Sequence, residues 1–265
     1  MATGKPRTLA AIHPNAGLQA AYARKLTTLV EAMHKSLMRF VLAQYRATPP
    51  LAQDDVAPAR SLEATMAELG DRWLSRFDAE APTIAAWFAT AAKDRSDFAM
   101  ADTLRRAGIS VKFQWSPQVR DVFTATAQAQ VGLIKSIATE HLAQVQGAVM
   151  RSVQTGRDIG GLAKELEERF GVTRARAVFI ARSQNNLATA TITRARQVEL
   201  GIVECVWMHS MGGREPRASH LKAGRDKQRY DTAKGWFDPD EGRFILPGEL
   251  PNCRCVNRAI VRGLD

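Results

Sequence analysis

The sequence lacks the features of a membrane protein and of a disulfide-stabilised one. It contains no apolar run near the roughly 20 residues that a membrane-spanning helix needs, so we expect no contact with a membrane. Its three cysteines are an odd number in a chain of 265 residues, which is not the pattern of a disulfide framework. We therefore expect a globular protein of a reducing compartment.

Acidic residues are scarce, above all in one region. The chain has 37 Lys and Arg against 27 Asp and Glu, a formal net charge of +10. From Arg169 to Arg229 twelve basic residues face four acidic ones, so this stretch carries a net +8. A polyanion such as DNA suits this charge, and solvated helix faces are the alternative. The residues that we consider for non-specific phosphate contact are Arg174, Arg176, Arg182, Arg194, Arg196, Lys222, Arg225, Lys227 and Arg229.

Most of the chain up to residue 200 shows helical periodicity. Apolar residues from Leu18 to Phe40 recur at steps of three and four, which predicts a long amphipathic helix. The segment "ISVKFQW" is either a short strand or an extended connector. The predicted helices, bounded by capping or turn-forming residues, are 18–40, 62–77, 84–107 after Pro82, 117–149, 162–170 before Gly171, and 173–200 before Gly201.

The pattern changes after Gly201. The segments "IVECVWMH", "GRFILPG" and "CRCVNRAIV" are short and rich in β-branched and apolar residues, which predicts three strands. We therefore expect a predominantly α-helical α+β fold, with long amphipathic helices in the N-terminal half and a short sheet near the C-terminus. The expected domains are a helical docking region over residues 1–157 and a small mixed α+β domain over residues 158–265.

Cys253 and Cys255 stand one residue apart in "PGELPNCRC". In a strand, their Cα atoms would be about 6.5–7 Å apart, at or beyond the usual limit for a disulfide. Three interpretations stay open. The thiols could bind zinc with His220, helped by Cys205 and His209, or they could be small buried apolar groups. One could also be a nucleophile with His220 as its base, for which the sequence offers no orienting acid at a recognisable position.

The order of these motifs resembles the Mu F-like phage head morphogenesis proteins, also called minor head proteins. In that family a helical arginine followed by a small hydroxyl residue precedes a tryptophan-bearing strand, an Arg-x-x-His step, a glycine and a closing Pro-Gly…Asn-Cys-Arg-Cys. The resemblance covers roughly residues 158–258. The matching positions are Arg182, Ser183, Trp207, Arg217, His220, Gly224, Pro247, Gly248, Asn252, Cys253, Arg254 and Cys255.

The resemblance implies a structural or assembly role in the head of a tailed phage. The implied partners are capsid, scaffold or portal proteins and packaged DNA, and the implied locations are the virion head and, during assembly, the host cytoplasm. It implies no enzymatic activity. We expect no cofactor, apart from the structural zinc ion that His220, Cys253 and Cys255 could bind. Four residues stand where the family often has carboxylates, which weakens the case for hydrolysis: Gln184, Gly212, Gly213 and Ala223. The alternative is a metal-dependent nuclease or toxin-like hydrolase centred on His220, Cys253 and Cys255.

Overall fold

The computed structural model describes residues 6–47, 57–156, 158–213 and 215–262. Its helices are α1 (Ala16–Ala47), α2 (Ala57–Arg106), α3 (Pro117–Gln154), α4 (Ile159–Glu199) and α5 (Ala218–Arg225). Its strands are β1 (Arg7–Thr8), β2 (Glu204–Met208), β3 (Arg229–Asp231), β4 (Trp236–Asp238), β5 (Arg243–Ile245) and β6 (Val256–Val261). The predicted α+β class, mainly helical with a small C-terminal sheet, is confirmed.

The chain forms two compact units, each assembled from separate segments. Unit 1 contains residues 1–20, 86–128 and 182–265, and unit 2 contains residues 21–85 and 129–181. The boundaries between the units fall within α1, α2, α3 and α4. The predicted division between residues 157 and 158 concerns a docking region and a family domain. The two compact units divide the chain differently, so this division stays a prediction.

Two predicted helix boundaries are wrong, since α2 continues through Pro82 and α4 continues through Gly171. A proline inside a helix removes one hydrogen bond and costs about 3 kcal/mol. The buried stripe nevertheless runs past Pro82, from Phe77 to Ala81 and Ile84. Packing of this apolar face therefore outweighs the local helix-breaking signal.

The cap signals, by contrast, fall at the observed helix ends. The hydroxyl of Ser116 accepts the N–H of Val119 at 3.2 Å at the start of α3, which is an N-cap contact. Gly108 follows α2 with φ of 89°, and Gly201 follows α4 with φ of 69°. Left-handed backbone at these positions favours glycine and ends a helix.

The sheet of unit 1 has the strand order β1-β6-β2-β3, with antiparallel pairing throughout. On β2 the side chains of Cys205 and Trp207 are buried while their neighbours are half-buried, the alternation expected of a strand with one covered face. The strands β4 and β5 form a separate antiparallel pair. The three predicted strands are thus found as β2, β5 and β6, whereas "ISVKFQW" is a connector outside the sheets.

Unit 2 is built from helical segments that share an apolar core. The predicted stripe on α1 is buried at Tyr22, Leu26 and Met33, and Phe40 at its end is 39% exposed. Within the described residues, no helix combines the length and apolarity that crossing a bilayer requires.

Candidate functional site

The residues of the sequence signature meet in unit 1, around the turn that precedes β6. Trp207 lies on β2, His220 on α5, and Cys253 and Cys255 between the turn and β6. None of these four side chains is more than 4% exposed. The His220 ring packs against Trp207 with 4.9 Å between ring centroids and 71° between ring planes. The signature therefore describes one buried site.

Helix α4 holds the turn through three polar side chains. Asn186 donates from Nδ2 to the carbonyl of Cys253 at 2.7 Å, and Arg182 donates to the side-chain oxygen of Asn252. The backbone N–H of Asn252 donates to the hydroxyl of Ser183 at 3.3 Å. Asn252 has φ of 62°, a left-handed conformation that asparagine tolerates better than most residues. Arg182 and Ser183 of α4 thus contact Asn252 directly, although Asn252 lies about 70 residues away in the chain.

Arg217 and two glycines set the approach of α5 and of the Pro-Gly loop. At the N-cap of α5, Arg217 donates from both terminal nitrogens to the carbonyl of Pro251, each at 3.3 Å. A Cβ at Gly224 would stand 2.4 Å from Cβ of His209, and a Cβ at Gly248 would stand 3.3 Å from two backbone carbonyl oxygens. Both glycines permit close backbone approach, and Gly248 also has φ of 90°.

Three candidate ligand atoms cluster beneath this turn. Nδ1 of His220 lies 3.4 Å from Sγ of Cys253 and 3.8 Å from Sγ of Cys255, and the three atoms lie within 4.8 Å of one another. Both cysteines are free. The backbone N–H of Gly248 donates to Sγ of Cys253 at 3.3 Å. The fold therefore brings together the three residues that the sequence marked as candidate zinc ligands.

Asp238, at the end of β4, is a functional residue that the sequence did not reveal. It is fully buried, and its Oδ2 lies 3.1 Å from Nε2 of His220. Because Nε2 donates to this carboxylate, Nδ1 is the ring nitrogen that interacts with the two thiols. The structure thus places beside His220 an acid that the sequence does not show at a recognisable position. Asp238 lies in "WFDPDEG", where Asp, Pro and Gly predict a turn. Only the two aromatic residues before Asp238 favour a strand.

The two thiols differ in acidity because they share a hydrogen bond within a buried site. The bond from Cys255 and the contact with His220 lower the pKa of Cys253 to about 4, although burial acts in the opposite direction. The same bond, together with burial, raises the pKa of Cys255. The cluster therefore favours a thiolate at Cys253, the form that binds metals and attacks electrophiles.

A cavity of about 550 Å³ adjoins the cluster, and His220, Cys253 and Cys255 form part of its wall. Its lining also includes one acidic residue, Glu215, and three arginines. The cavity connects the buried thiols with a predominantly basic space, so a water molecule or a small anion can reach them. The lining arginines are Arg182, Arg217 and Arg254.

The two further residues considered as zinc ligands lie outside the cluster. Cys205 is buried on β2, where its Sγ lies 3.5 Å from Oε1 of Gln197 and 3.3 Å from the hydroxyl of Thr232. His209 lines the cavity, and its Nδ1 accepts the N–H of Met211 at 3.0 Å. Both side chains have local partners of their own.

The basic residues considered for DNA contact are divided between the two units. In unit 2, Arg174 pairs with Glu31 at 3.6 Å and Arg176 pairs with Glu140 at 2.8 Å. Both charges are therefore partly balanced by neighbouring carboxylates. Unit 1 presents an exposed group on α5, the following turn and β3, which consists of Lys222, Arg225, Lys227 and Arg229.

Arg196 does not belong with a DNA-contacting surface. Its side chain is 2% exposed and donates to both carboxylate oxygens of Asp97, at 2.7 and 2.8 Å, and to Glu199 at 2.9 Å. Its charge is buried and neutralised, so we remove it from the predicted set. Arg194 is half-buried and donates to backbone carbonyls of residues 232 and 233.

Comparison with known families agrees with the resemblance in sequence. The model of the family described as Phage Mu protein F like protein matches residues 143–258. Residues 143–258 are thus similar to that family. This region contains all of α5, the sheet strands β2 and β3, and the Arg182, His220 and Cys253 positions of the site.

One relative extends the match beyond the family model. An uncharacterized protein of Haemophilus influenzae is 35% identical over 148 residues, which is 56% of this chain and 31% of that protein. The chain thus spans less than a third of that relative's length. No solved structure matches.

Proposed function

We propose that the chain is a minor head protein of a tailed phage that acts in head morphogenesis. Its partners are capsid, scaffold or portal proteins, and its locations are the virion head and, before packaging is complete, the host cytoplasm. The observation that carries the proposal is that the matching positions of the Mu F-like pattern meet in one structure. Arg182, Ser183 and Asn186 of α4 hold the turn of Asn252 and Cys253.

The long amphipathic helices support a docking role. Such helices present extended faces that a partner helix can pack against. Unit 2 also exposes apolar side chains on α4, where Val172 is 59% exposed and Val178 is 38% exposed. We assign this unit to protein contacts within the head.

The exposed basic group of unit 1 supports contact with packaged DNA. Lys222, Arg225, Lys227 and Arg229 offer exposed cations of the kind that bind phosphates without reading sequence. Lys222 also pairs with Asp226, and Arg229 pairs with Glu204. We expect the DNA-binding constant to fall steeply with salt. The slope of its logarithm against the logarithm of the salt concentration should be about −0.9 for each neutralised phosphate. Replacing all four residues by alanine should flatten that slope. Arg196→Met should leave the slope unchanged, because Arg196 is buried and ion-paired.

The direct test uses the phage that encodes the chain. Mass spectrometry of purified particles should detect the protein, and deletion of its gene should reduce the yield of infectious particles. A plasmid copy of the wild-type gene should restore the yield. Absence from purified heads together with unchanged yield after deletion would overturn the proposal.

A second candidate function is a metal-dependent nuclease or toxin-like hydrolase. The observation that favours it is the line of Asp238, His220 and Cys253 beside the cavity. In that case the purified chain would cleave nucleic acid, and both His220→Ala and Cys253→Ser would abolish cleavage. Under the head-protein proposal, neither the wild type nor the variants cleave DNA or RNA with or without added zinc.

A further inference from the structure

We propose that His220, Cys253 and Cys255 bind one zinc ion through Nδ1 and the two Sγ atoms, with Asp238 positioning the imidazole. The inference concerns a binding site rather than the role in the head, and it stands whether or not the chain is a head protein.

The spacing of the three atoms fits a tetrahedral metal. With Zn–S of about 2.3 Å and Zn–N of about 2.0–2.1 Å, tetrahedral angles separate sulfur from nitrogen by about 3.6 Å and sulfur from sulfur by about 3.8 Å. Nδ1 of His220 lies 3.4 Å and 3.8 Å from the two sulfurs, and no pair of the three atoms exceeds 4.8 Å. The side chains are therefore close to the positions that a shared ion requires.

The ligand chemistry selects a soft divalent ion. Thiolates and a neutral imidazole bind zinc in preference to magnesium or calcium, which take oxygen ligands. Cys253 and Cys255 are each 4% exposed, and Asp238 is fully buried. Zinc binding requires both thiols to lose their protons, and the two thiolates that it creates beside this carboxylate need a cation to balance them. A zinc ion supplies the balancing charge.

The surroundings of the three residues match the outer shell of a metal site. Metal-bound histidines commonly donate their other ring N–H to a carboxylate, which fixes the tautomer and strengthens the ligand. Asp238 occupies this place on Nε2 of His220 at 3.1 Å, and its second oxygen accepts the N–H of Asp240 at 3.0 Å. The N–H of Gly248 donates to Sγ of Cys253, which stabilises a thiolate.

The fourth coordination position faces the cavity. All three ligand residues line that space. On β2, Cys205 is held by Gln197 and Thr232, and His209 lines the same space but accepts the N–H of Met211 at Nδ1. Arg217 and Arg254 also line it, so an anion can approach the metal without repulsion. We therefore assign the fourth position to water or to an exchangeable small anion.

The test measures metal on the full-length chain and needs no activity. Purified wild-type protein should carry one zinc per chain by elemental analysis. After zinc removal, added cobalt(II) should give an intense thiolate-to-cobalt charge-transfer absorption. Cys253→Ser and Cys255→Ser should each remove most of that absorption. Cys205→Ser is the matched control, since it changes a buried cysteine outside the cluster, and it should leave both readouts unchanged.

Two further measurements test the proposal even if a cysteine variant fails to fold. Asp238→Asn keeps the size of the side chain and should weaken zinc affinity about 10–100-fold, measured by competition with a chromophoric chelator. Azide added to the cobalt form should shift its visible bands. Folded wild-type protein with no stoichiometric zinc and no charge-transfer band, or with a Cys253–Cys255 disulfide in place of two thiols, would overturn the proposal.

Discussion

Each unit contains a buried histidine, and the two differ in what surrounds them. In unit 1, His220 lies between the carboxylate of Asp238 and two thiols. In unit 2, Nδ1 of His141 contacts the hydroxyl of Thr173 at 2.8 Å, and its Nε2 has no hydrogen-bond partner among the described residues. Burial and the nearby His34 lower the pKa of His141 to about 4, so it stays neutral within its helical core.

The difference shows how the two units use polar groups. Unit 2 contains isolated pairs of buried polar side chains, such as His141 with Thr173 and Tyr22 with Gln130, within a core of apolar helical stripes. Unit 1 concentrates hydrogen bonds and charges around one turn, where removing one partner leaves others buried and unpaired. Substitutions in the buried polar networks of unit 1 should therefore cost more than substitutions in the exposed ion pairs of unit 2.

The largest effect is expected at Arg196 of unit 1. Arg196→Met leaves Glu199 without its cation and leaves Asp97 with Lys93 alone, and both carboxylates are largely buried. Breaking a buried pair in this way typically costs about 3–5 kcal/mol. The free energy of unfolding from urea denaturation would measure this. Arg151→Met in unit 2 is the control, because it breaks an exposed pair with Glu165 and should cost less than about 1 kcal/mol. Equal losses would contradict the comparison.

The next effect is the pH dependence of unit 2. Unfolded His141 gains its proton near pH 6.5, whereas folded His141 gains it near pH 4. Between these values the unfolded state binds more protons, so the free energy of unfolding falls as the pH falls. The contribution of this residue approaches about 3 kcal/mol at the acid end of the window.

His141→Gln should remove most of that dependence, as judged by urea denaturation at several pH values from 7 to 4. His13→Gln is the control, since His13 is exposed. If both variants keep the pH dependence of the wild type, His141 is not the group responsible.

The smallest effect compares two helical glycines. Gly224→Ala would force a Cβ to within 2.4 Å of Cβ of His209, and overpacking of this kind costs about 1–3 kcal/mol. Gly70 lies inside α2 of unit 2, and a Cβ there meets nothing within 4 Å. Gly70→Ala should therefore stabilise the protein by up to about 1 kcal/mol. Changes of the same sign in thermal unfolding would count against this account of α5.

The elements of the fold were largely predictable from periodicity and caps. The stripe beginning at Leu18 and the cap at Ser116 are local signals, and the structure follows them. Pro82 and Gly171 are also local signals, yet the helices continue through both. A sequence shows the cost of a helix breaker but not the core that outweighs it, which depends on residues far along the chain.

The candidate site was predictable only where a recognisable motif marked it. His220, Cys253 and Cys255 were found in this way, whereas Asp238 and Asn186 carry no motif of their own. Asp238 contacts His220, which lies 18 positions away, and Asn186 contacts Cys253, which lies 67 positions away. The sequence alone does not reveal contacts at such separations. Arg196 was misassigned for the same reason, because its partner Asp97 lies 99 positions earlier.

The central claim is that the Mu F-like signature builds a metal centre. X-ray absorption at the zinc edge, on the purified full-length chain, measures that centre directly. The account predicts a first shell with two sulfur atoms at about 2.3 Å and imidazole nitrogen at about 2.0–2.1 Å. In Cys253→Ser the sulfur count should fall to one, and in Cys205→Ser it should stay at two. A shell of nitrogen and oxygen alone in the wild type would contradict the claim.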